Sequence, residues 1–506
     1  MGNLALNLAA SAANTPHAPA LRLGDLTLDY AAVDAAAARV AGLLRDRGIR
    51  PGDVVGICLP NVPSFAICYY GVLRAGGVVV PLNPLLKERE LTYHLADSGA
   101  KVLFAWEDVA ETAQASAAAT GTEPIIVTAN GFDELLALAA PAPGYEERDD
   151  DDTAVILYTS GTTGRPKGAE LTHANLLANC DVVAEVLLNL SPSDVVLGAL
   201  PLFHVFGQTF ALNTVVKVGA LLTMLPRFDP TAALEVLERD GVTVFEGVPT
   251  MYTALLNHPD GKSFDLSGLR LCVSGGSAMP VEVMRGFEQA FGCTVLEGYG
   301  LSETSPVVSF NLPDRERKAG SIGLPVPGVE MRLVDDAGLE VGGDEVGEIA
   351  IRGHNVMKGY WGNPSATAAA IPDGWFRTGD LARRDSDGYY FIVDRKKDLV
   401  IRGGYNVYPR EIEEVLYEHE DVAEVAVIGV PDARLGEEVC AVVALKPGGT
   451  ATAQDLVEHA KHRIAAYKYP RHVVLVDALP KGATGKILKR EIVVPSDLGS
   501  DLSGIR

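Results

Sequence analysis

The opening stretch, up to residue 52, shows no clean period. From Asp53 onward, short apolar runs of four to six residues alternate with stretches of helical period. Val54–Leu59 reads as a strand, Pro63–Ala75 as a helix and Val78–Leu82 as a strand again. Arg89–Asp97 reads as a helix and Lys101–Phe104 as a strand. The same alternation continues through strands at Ala154–Leu157, Val195–Leu200, Val242–Phe245, Leu269–Val273 and Thr294–Leu296. Continuous apolar strands with helices between them predict a mostly parallel α/β sheet, covered on both faces. After Gly320 the strands are set among many glycines: Glu330–Val334, Glu348–Arg352 and Tyr389–Val393.

Two charged segments interrupt the pattern. Pro141–Asp152 collects acids and reads as a solvated surface loop. Asp394 to Asp398 packs five charges between two apolar strands, and the main boundary is placed there. Beyond it, Pro409–Tyr417 and Ala453–Ala465 read as helices, and Val422–Ile428, Val439–Leu445 and His472–Val476 as strands. The expectation is a large N-terminal α/β domain with mostly parallel sheets, residues 1–396, and a smaller mobile α+β domain, residues 397–506. The tail from Pro495 is polar and loose. No internal repeat is visible.

The chain has 506 residues and a net charge of −23. It is long enough to bury a large core without staples. Its acidity argues against nucleic acid and anionic membranes as partners. The exception is Lys461–Arg490, with eight basic residues against one acid, Asp477. Such a patch suits a polyanion such as a nucleotide phosphate. Six scattered cysteines form no CxxC pair and suggest a reducing, cytoplasmic setting. The N-terminus lacks the basic residues of a signal peptide, and no apolar run is long enough to span a membrane. Oligomeric state stays open, a homodimer included.

The strongest chemical signal is Tyr158 to Gly168, which contains Thr159, Ser160, Gly161, Thr162, Thr163, Gly164 and Lys167. It follows an apolar strand and precedes a helix that Thr172 can cap. Glycines let backbone N–H groups approach a ligand, hydroxyls add neutral donors, and Lys167 adds a charge. That is equipment for a polyphosphate. It is not a Walker A loop, because Pro166 stands where that motif needs Gly before Lys.

This segment resembles the signature of the adenylate-forming superfamily of acyl-CoA synthetases, adenylation domains and luciferases. Four further motifs follow in the expected order: Tyr299 to Thr304 (with Ser302 where Thr is commoner), Trp375 to Asp380, Asp394 to Glu413, and Pro480 to Lys486. The chain is most like a fatty-acid–CoA ligase. The resemblance implies ATP, Mg²⁺ and coenzyme A as cofactors. A carboxylate attacks the α-phosphate, giving an acyl-AMP and pyrophosphate, and a thiol then takes the acyl group. Catalysis of that kind is mostly positioning and electrostatics.

By the same resemblance, Lys486 is the main catalytic cation, and Glu303 binds Mg²⁺ with help from the Thr159 hydroxyl. Asp380 holds the ribose, with Arg395 nearby. Gly275, Gly276, Ser277, Glu297, Gly298, Tyr299 and Gly300 flank the adenine, and Ser302 belongs to the same motif. His204 sits near the substrate carboxylate. The acyl site is made by Phe206, Gly207, Tyr252 and Gly298, the last leaving room for a tunnel. Lys397 is the hinge, and Gly403 and Gly404 line the pantetheine path. Amino-acid-activating relatives carry an Asp near the Phe203-His204 pair and malonate-activating ones carry arginines. This chain has neither, so an ammonium or a second carboxylate would lack its partner. A medium- or long-chain fatty acid is the first expectation and an arylacrylate the second. The acceptor is expected to be free CoA rather than a carrier protein.

Overall fold

The computed structural model of the chain describes residues 2–159, 165–342, 345–432 and 434–494. Two large sheets form its body. One has nine strands, the other seven, and their inner strands run parallel. The helix Pro63–Arg74 opens with Pro in its first turn, where a missing N–H costs nothing. All twelve of its residues are buried. A helix apolar all round has to be packed on every side. It meets helix Tyr30–Asp46 closely at Gly71, where a Cβ would lie 2.5 Å from Cβ of Val40. A third sheet is antiparallel and four-stranded, with order Val329–Val334, Gly347–Gly353, Phe376–Arg384, Tyr390–Arg395.

The C-terminal sheet is built around the long hairpin Val422–Asp432 and Gly436–Leu445. Strand His472–Val476 lies parallel to its second arm. Helices Pro409–Tyr417 and Ala453–Lys461 give this sheet an apolar core of its own, which includes Val407, Ile412, Val427 and Leu456. No helix among the described residues is long and apolar enough to cross a membrane. All six cysteines are buried and free.

The sequence pattern holds for most strands within one to three residues, and for helix Pro409–Tyr417 and strand His472–Val476 at both ends. Thr172 caps its helix, accepting the Asn175 N–H at 3.1 Å. One feature departs from expectation. The segment before residue 53 carries strands Pro19–Leu23 and Leu26–Asp29 and the seventeen-residue helix Tyr30–Asp46, capped by Asp29 at 2.8 Å. Its alanines hide the period because they score alike on both faces. The acidic stretch 141–152 is the largely exposed surface loop expected, but it is anchored to the body at several points. Backbone N–H groups of Ala142 and Glu146 bond to carbonyls of Ala38 and Arg74, and Arg74 reaches back to it. The Arg74 guanidinium donates to Asp34 at 2.8 Å, to the Gly144 carbonyl at 2.9 Å and to Tyr145 Oη at 3.0 Å.

Arg74 is 7% exposed, so its loss leaves Asp34 and two oxygens short of a buried donor. Arg74→Met is expected to destabilise the protein by about 3 kcal/mol. A thermal scan should show a lower apparent melting temperature and faster proteolysis within 141–152. An unchanged melting temperature would mean the loop is held by its backbone bonds alone.

Candidate active site

The C-terminal ends of the parallel strands Val244–Gly247, Leu271–Ser274 and Thr294–Gly300 lie side by side. In open α/β sheets this is where ligands gather. Across that edge lies the loop that carries Lys486. Thr250, in the first turn of helix Pro249–Leu256, donates its hydroxyl to the Gly485 carbonyl at 2.8 Å. Gly485 has φ +78°, and a Cβ there would lie 3.0 Å from Val248. Only glycine fits this turn without strain. Further contacts fix the small domain. Arg410 donates to the carbonyls of Ile392 at 3.1 Å and Gly320 at 3.4 Å, and Asp394 accepts the Arg410 N–H at 3.2 Å. Within the small domain, Lys489 pairs with Glu413 at 2.7 Å.

Between these surfaces lies a cavity of about 390 Å³, lined by Gly276, Ser277, Tyr299, Asp380, Arg395 and Lys486 among others. Asp380 is buried. One of its oxygens accepts the Tyr299 hydroxyl at 2.5 Å, and the other faces Arg395 Nε at 3.1 Å. A carboxylate held this way offers lone pairs to a pair of vicinal hydroxyls. Glu297 accepts the Met279 N–H at 2.9 Å, and its other oxygen has no partner among the described residues. Burial pushes its carboxyl up to about 7, against the pull of Arg410.

Lys486 has no ion-pair partner among the described residues. Burial, and then the Arg395 guanidinium, push its ammonium down to about 8. His204 stands near it. Burial first and the Lys486 charge second push the imidazole down to about 4, so the ring is neutral. Its Nδ1 accepts the Phe206 N–H at 3.3 Å, which leaves Nε2 as the donor. A cation on the cavity with a neutral N–H donor near it suits a substrate that brings negative charge.

Glu303 lies at one side. Its Oε1 accepts from Thr159 Oγ1 at 3.2 Å and from Tyr360 Oη at 3.1 Å. Lys167 Nζ sits 4.9 Å over the Tyr360 ring. Ser302 opens the short turn Ser302–Thr304 that presents Glu303. Ser160, Gly161, Thr162, Thr163 and Gly164 lie outside the described residues.

The structure therefore brings Gly276, Ser277, Glu297, Gly298, Tyr299, Gly300, Asp380, Arg395, Lys397 and Lys486 onto one cavity. Several expected residues sit elsewhere. Tyr252 is fully buried. Its hydroxyl donates to the Val273 carbonyl at 2.7 Å, and its ring packs between Phe245 and Phe287. It is a core residue, not a wall of the acyl site. Gly207 is a close backbone approach, since a Cβ there would lie 2.5 Å from the Pro201 carbonyl oxygen. Gly275 is faced by the Phe206 ring, 3.0 Å from its Cβ position. Gly298 opens no tunnel: a Cβ there would fall 1.9 Å from the Phe310 ring, which fills that space. Gly403 and Gly404 form the turn between strands Val400–Arg402 and Tyr405–Val407, away from the cavity.

Three residues went unnoticed in the sequence. Phe210 and Phe310 continue the aromatic line from Phe206. Phe206 and Phe210 meet edge to face with centroids 4.9 Å apart, and Phe210 and Phe310 at 6.0 Å. Glu246 is wholly buried beside them on strand Val244–Gly247. The one signal for it was an acid inside an apolar run.

Residues 8–361 match the AMP-binding enzyme family, and residues 411–486 match the AMP-binding enzyme C-terminal domain. The chain belongs to the AMP-binding enzyme family. It is an AMP-forming acyl-CoA synthetase, for which ATP and CoA are substrates alongside a carboxylic acid. It is 39% identical to a long-chain-fatty-acid–CoA ligase of Bacillus subtilis (strain 168), over 96% of this chain and 92% of the relative. It is 40% identical to a feruloyl-CoA synthase of an Amycolatopsis species, over 94% of this chain and 96% of the relative. ATP-bound MatB from Rhodopseudomonas palustris superposes with a TM-score of 0.90 at 36% identity, over 97% of this chain and 98% of that one. The anthranilate CoA ligase AuaEII, solved with anthranoyl-AMP, gives 0.91 at 31% identity, over 96% of this chain and 95% of that one.

The half-buried Lys486 sets a pH dependence. Its ammonium is the useful form, and it deprotonates as pH rises through about 8. The kcat/KM for adenylation reports the free enzyme. It should be flat between about pH 6 and 7, be halved near 8, and fall about tenfold per unit above about 9. Bound polyphosphate stabilises the cation, so the same limb in kcat should lie at higher pH. Two superimposable profiles would show that Lys486 does not meet the nucleotide.

Proposed function

We propose that the chain converts a hydrophobic carboxylic acid to its acyl-AMP and then to the CoA thioester. The observation that carries this is the docked Lys486 loop: its cation lines a cavity with Tyr299, Asp380 and Arg395, and the neutral imidazole of His204 lies close enough to feel its charge. Lys486 neutralises charge on the α-phosphate and the attacking carboxylate, and His204 orients that carboxylate through Nε2. Asp380 receives the ribose hydroxyls and Tyr299 offers a face to the adenine. Glu303 and Thr159 are hard oxygen donors that suit Mg²⁺. They supply two ligands, so phosphate oxygens and water complete its shell.

The domain assignment 1–396 and 397–506 supports a second pose for thioester formation. Lys397 lies in the turn between strands Tyr390–Arg395 and Val400–Arg402 and is exposed. A rotation there carries the Lys486 loop away, and Gly403 and Gly404, with φ of +57° and +85°, line the path of a narrow thiol arm.

A medium- or long-chain fatty acid is the first reading of the acid, in keeping with the relative from Bacillus subtilis. A second reading, an arylacrylate, has one observation in its favour. The line of Phe206, Phe210 and Phe310 closes the space beside Gly298 with flat rings. A planar acid stacks there as it stands, whereas a long chain needs Phe310 to turn aside.

Pyrophosphate release over a panel of fatty and arylacrylic acids, with and without CoA, tests the proposal. Turnover of hydrophobic acids with thioester formed only when CoA is present is the expected result. Activity on amino acids or dicarboxylates alone would overturn it. Lys486→Ala should abolish acyl-AMP formation yet leave thioester formation from supplied acyl-AMP nearly intact. Lys397→Pro fixes φ near −65° at the turn. It should spare adenylation and slow the thioester step at least tenfold in single-turnover kinetics. Equal slowing of both steps with a lower melting temperature would make Lys397 structural.

A further inference from the structure

Glu246 has no place in the chemistry above, yet its setting is unusual. It lies on the central strand Val244–Gly247, and both carboxyl oxygens are buried with no hydrogen-bond partner among the described residues. A buried polar group without a partner costs of order 1–3 kcal/mol. Such a group in the middle of a sheet calls for something that completes it.

The strand register shows which face it points to. Glu246 pairs with Val273, and Val273 with Leu296, so their side chains share a face. Gly298 is two residues beyond Leu296 and lies on that face too. The Phe310 ring occupies the side-chain position of Gly298 and leads on to Phe210 and Phe206. The opposite face carries Phe245, with Tyr252 packed on it. The segment Gly207–Asn213, which contains Phe210, packs on the strands Val195–Gly198 and Val244–Gly247. Glu246 therefore stands on the same face of the sheet as Gly298, about 7 Å away along the strands and two strands, or about 10 Å, across, on the side where the segment with Phe210 packs. The acyl group enters from the other end, where Lys486 and His204 hold its carboxylate.

We propose that Glu246 recognises a hydroxyl at the far end of the acyl group, so that the preferred acid is hydrophobic along its length and ends in a hydroxyl. The inference rests on the acyl-CoA synthetase reading above. Burial holds the Glu246 carboxyl well above the usual carboxylate range, so the group is neutral. A neutral carboxyl donates one hydrogen bond and accepts others, and a hydroxyl does the same. A site built this way disfavours the analogue that lacks the hydroxyl, because the carboxyl is then left unpaired. An alkyl chain and an aryl ring can both carry that hydroxyl, so the shared feature is the terminal group and not the scaffold.

The test measures kcat/KM for two matched pairs: 4-hydroxycinnamate with cinnamate, and an ω-hydroxy fatty acid with its parent of equal length. The native enzyme should prefer the hydroxylated member at least tenfold in one pair, and that pair identifies the scaffold. Glu246→Leu should bring the ratio to within twofold of one or invert it, with an unchanged or higher melting temperature. Glu246→Gln keeps a donor and an acceptor and should hold the ratio within about threefold of native. The proposal is overturned if the native enzyme shows no preference in either pair, a result that needs no variant to fold. It is also overturned if all three proteins show the same ratio. Turnover of cinnamate or the parent fatty acid without preference would leave the synthetase reading standing. No pyrophosphate release from any of the four acids would defeat that reading instead.

Discussion

Everything in this structure turns on a lysine placed where it is electrostatically uncomfortable. Lys486 is half-buried beside Arg395, the charges of Asp380 and Asp398 answer it only in part, and its ammonium is correspondingly weakened. Taking a cation out of water costs several kcal/mol unless an opposite charge is supplied. The Thr250 to Gly485 hydrogen bond and the Arg410 contacts hold the small domain down in spite of that cost. A polyphosphate and a carboxylate supply the missing charge. The enzyme thus stores a preference for its anionic substrates in the packing of two domains, and releasing the pyrophosphate weakens the reason to stay docked. A two-step ligase needs such a bias, because the lysine must leave before a thiol can enter.

The fold was largely legible because its strands are continuous apolar runs separated by stretches of helical period. The reading failed where composition carried no contrast, as in the alanine-rich helix Tyr30–Asp46. The charged stretch 141–152 is the surface loop that its charge suggested, but its anchoring by Arg74 was not legible. The residues expected at the nucleotide were readable through their motifs. Tyr299, Asp380, Arg395 and Lys486 come from four separate stretches and converge on one cavity. The acyl site was much less legible. Tyr252 sits in the right segment but faces the core, a matter of one step in strand and helix register. Gly298 looked like open space, yet a ring from the neighbouring antiparallel strand fills it. Which side chain fills a glycine's place depends on cross-strand pairing, and no local pattern encodes that.

On the proposed reading, the same register sets the selectivity of the acyl site. Alternate residues of three parallel strands form its floor, so one acid at Glu246 can change what the whole site accepts. Its walls are rings of phenylalanine, which resist a second charge at any point. Chemistry at the carboxylate end and recognition at the far end are therefore set by different elements. The first belongs to loops and to the mobile domain, the second to the rigid sheet.

The central claim is that docking of the Lys486 loop serves adenylation alone. Thr250→Val removes the hydroxyl that holds Gly485 while keeping the shape of the side chain, and it touches neither Lys486 nor the cavity's carboxylates. The direct measurement is acid-dependent exchange of labelled pyrophosphate into ATP, set beside thioester formation from supplied acyl-AMP. The account predicts that exchange falls several-fold while thioester formation stays at the native rate. Equal loss of both, or no loss of exchange, would contradict it.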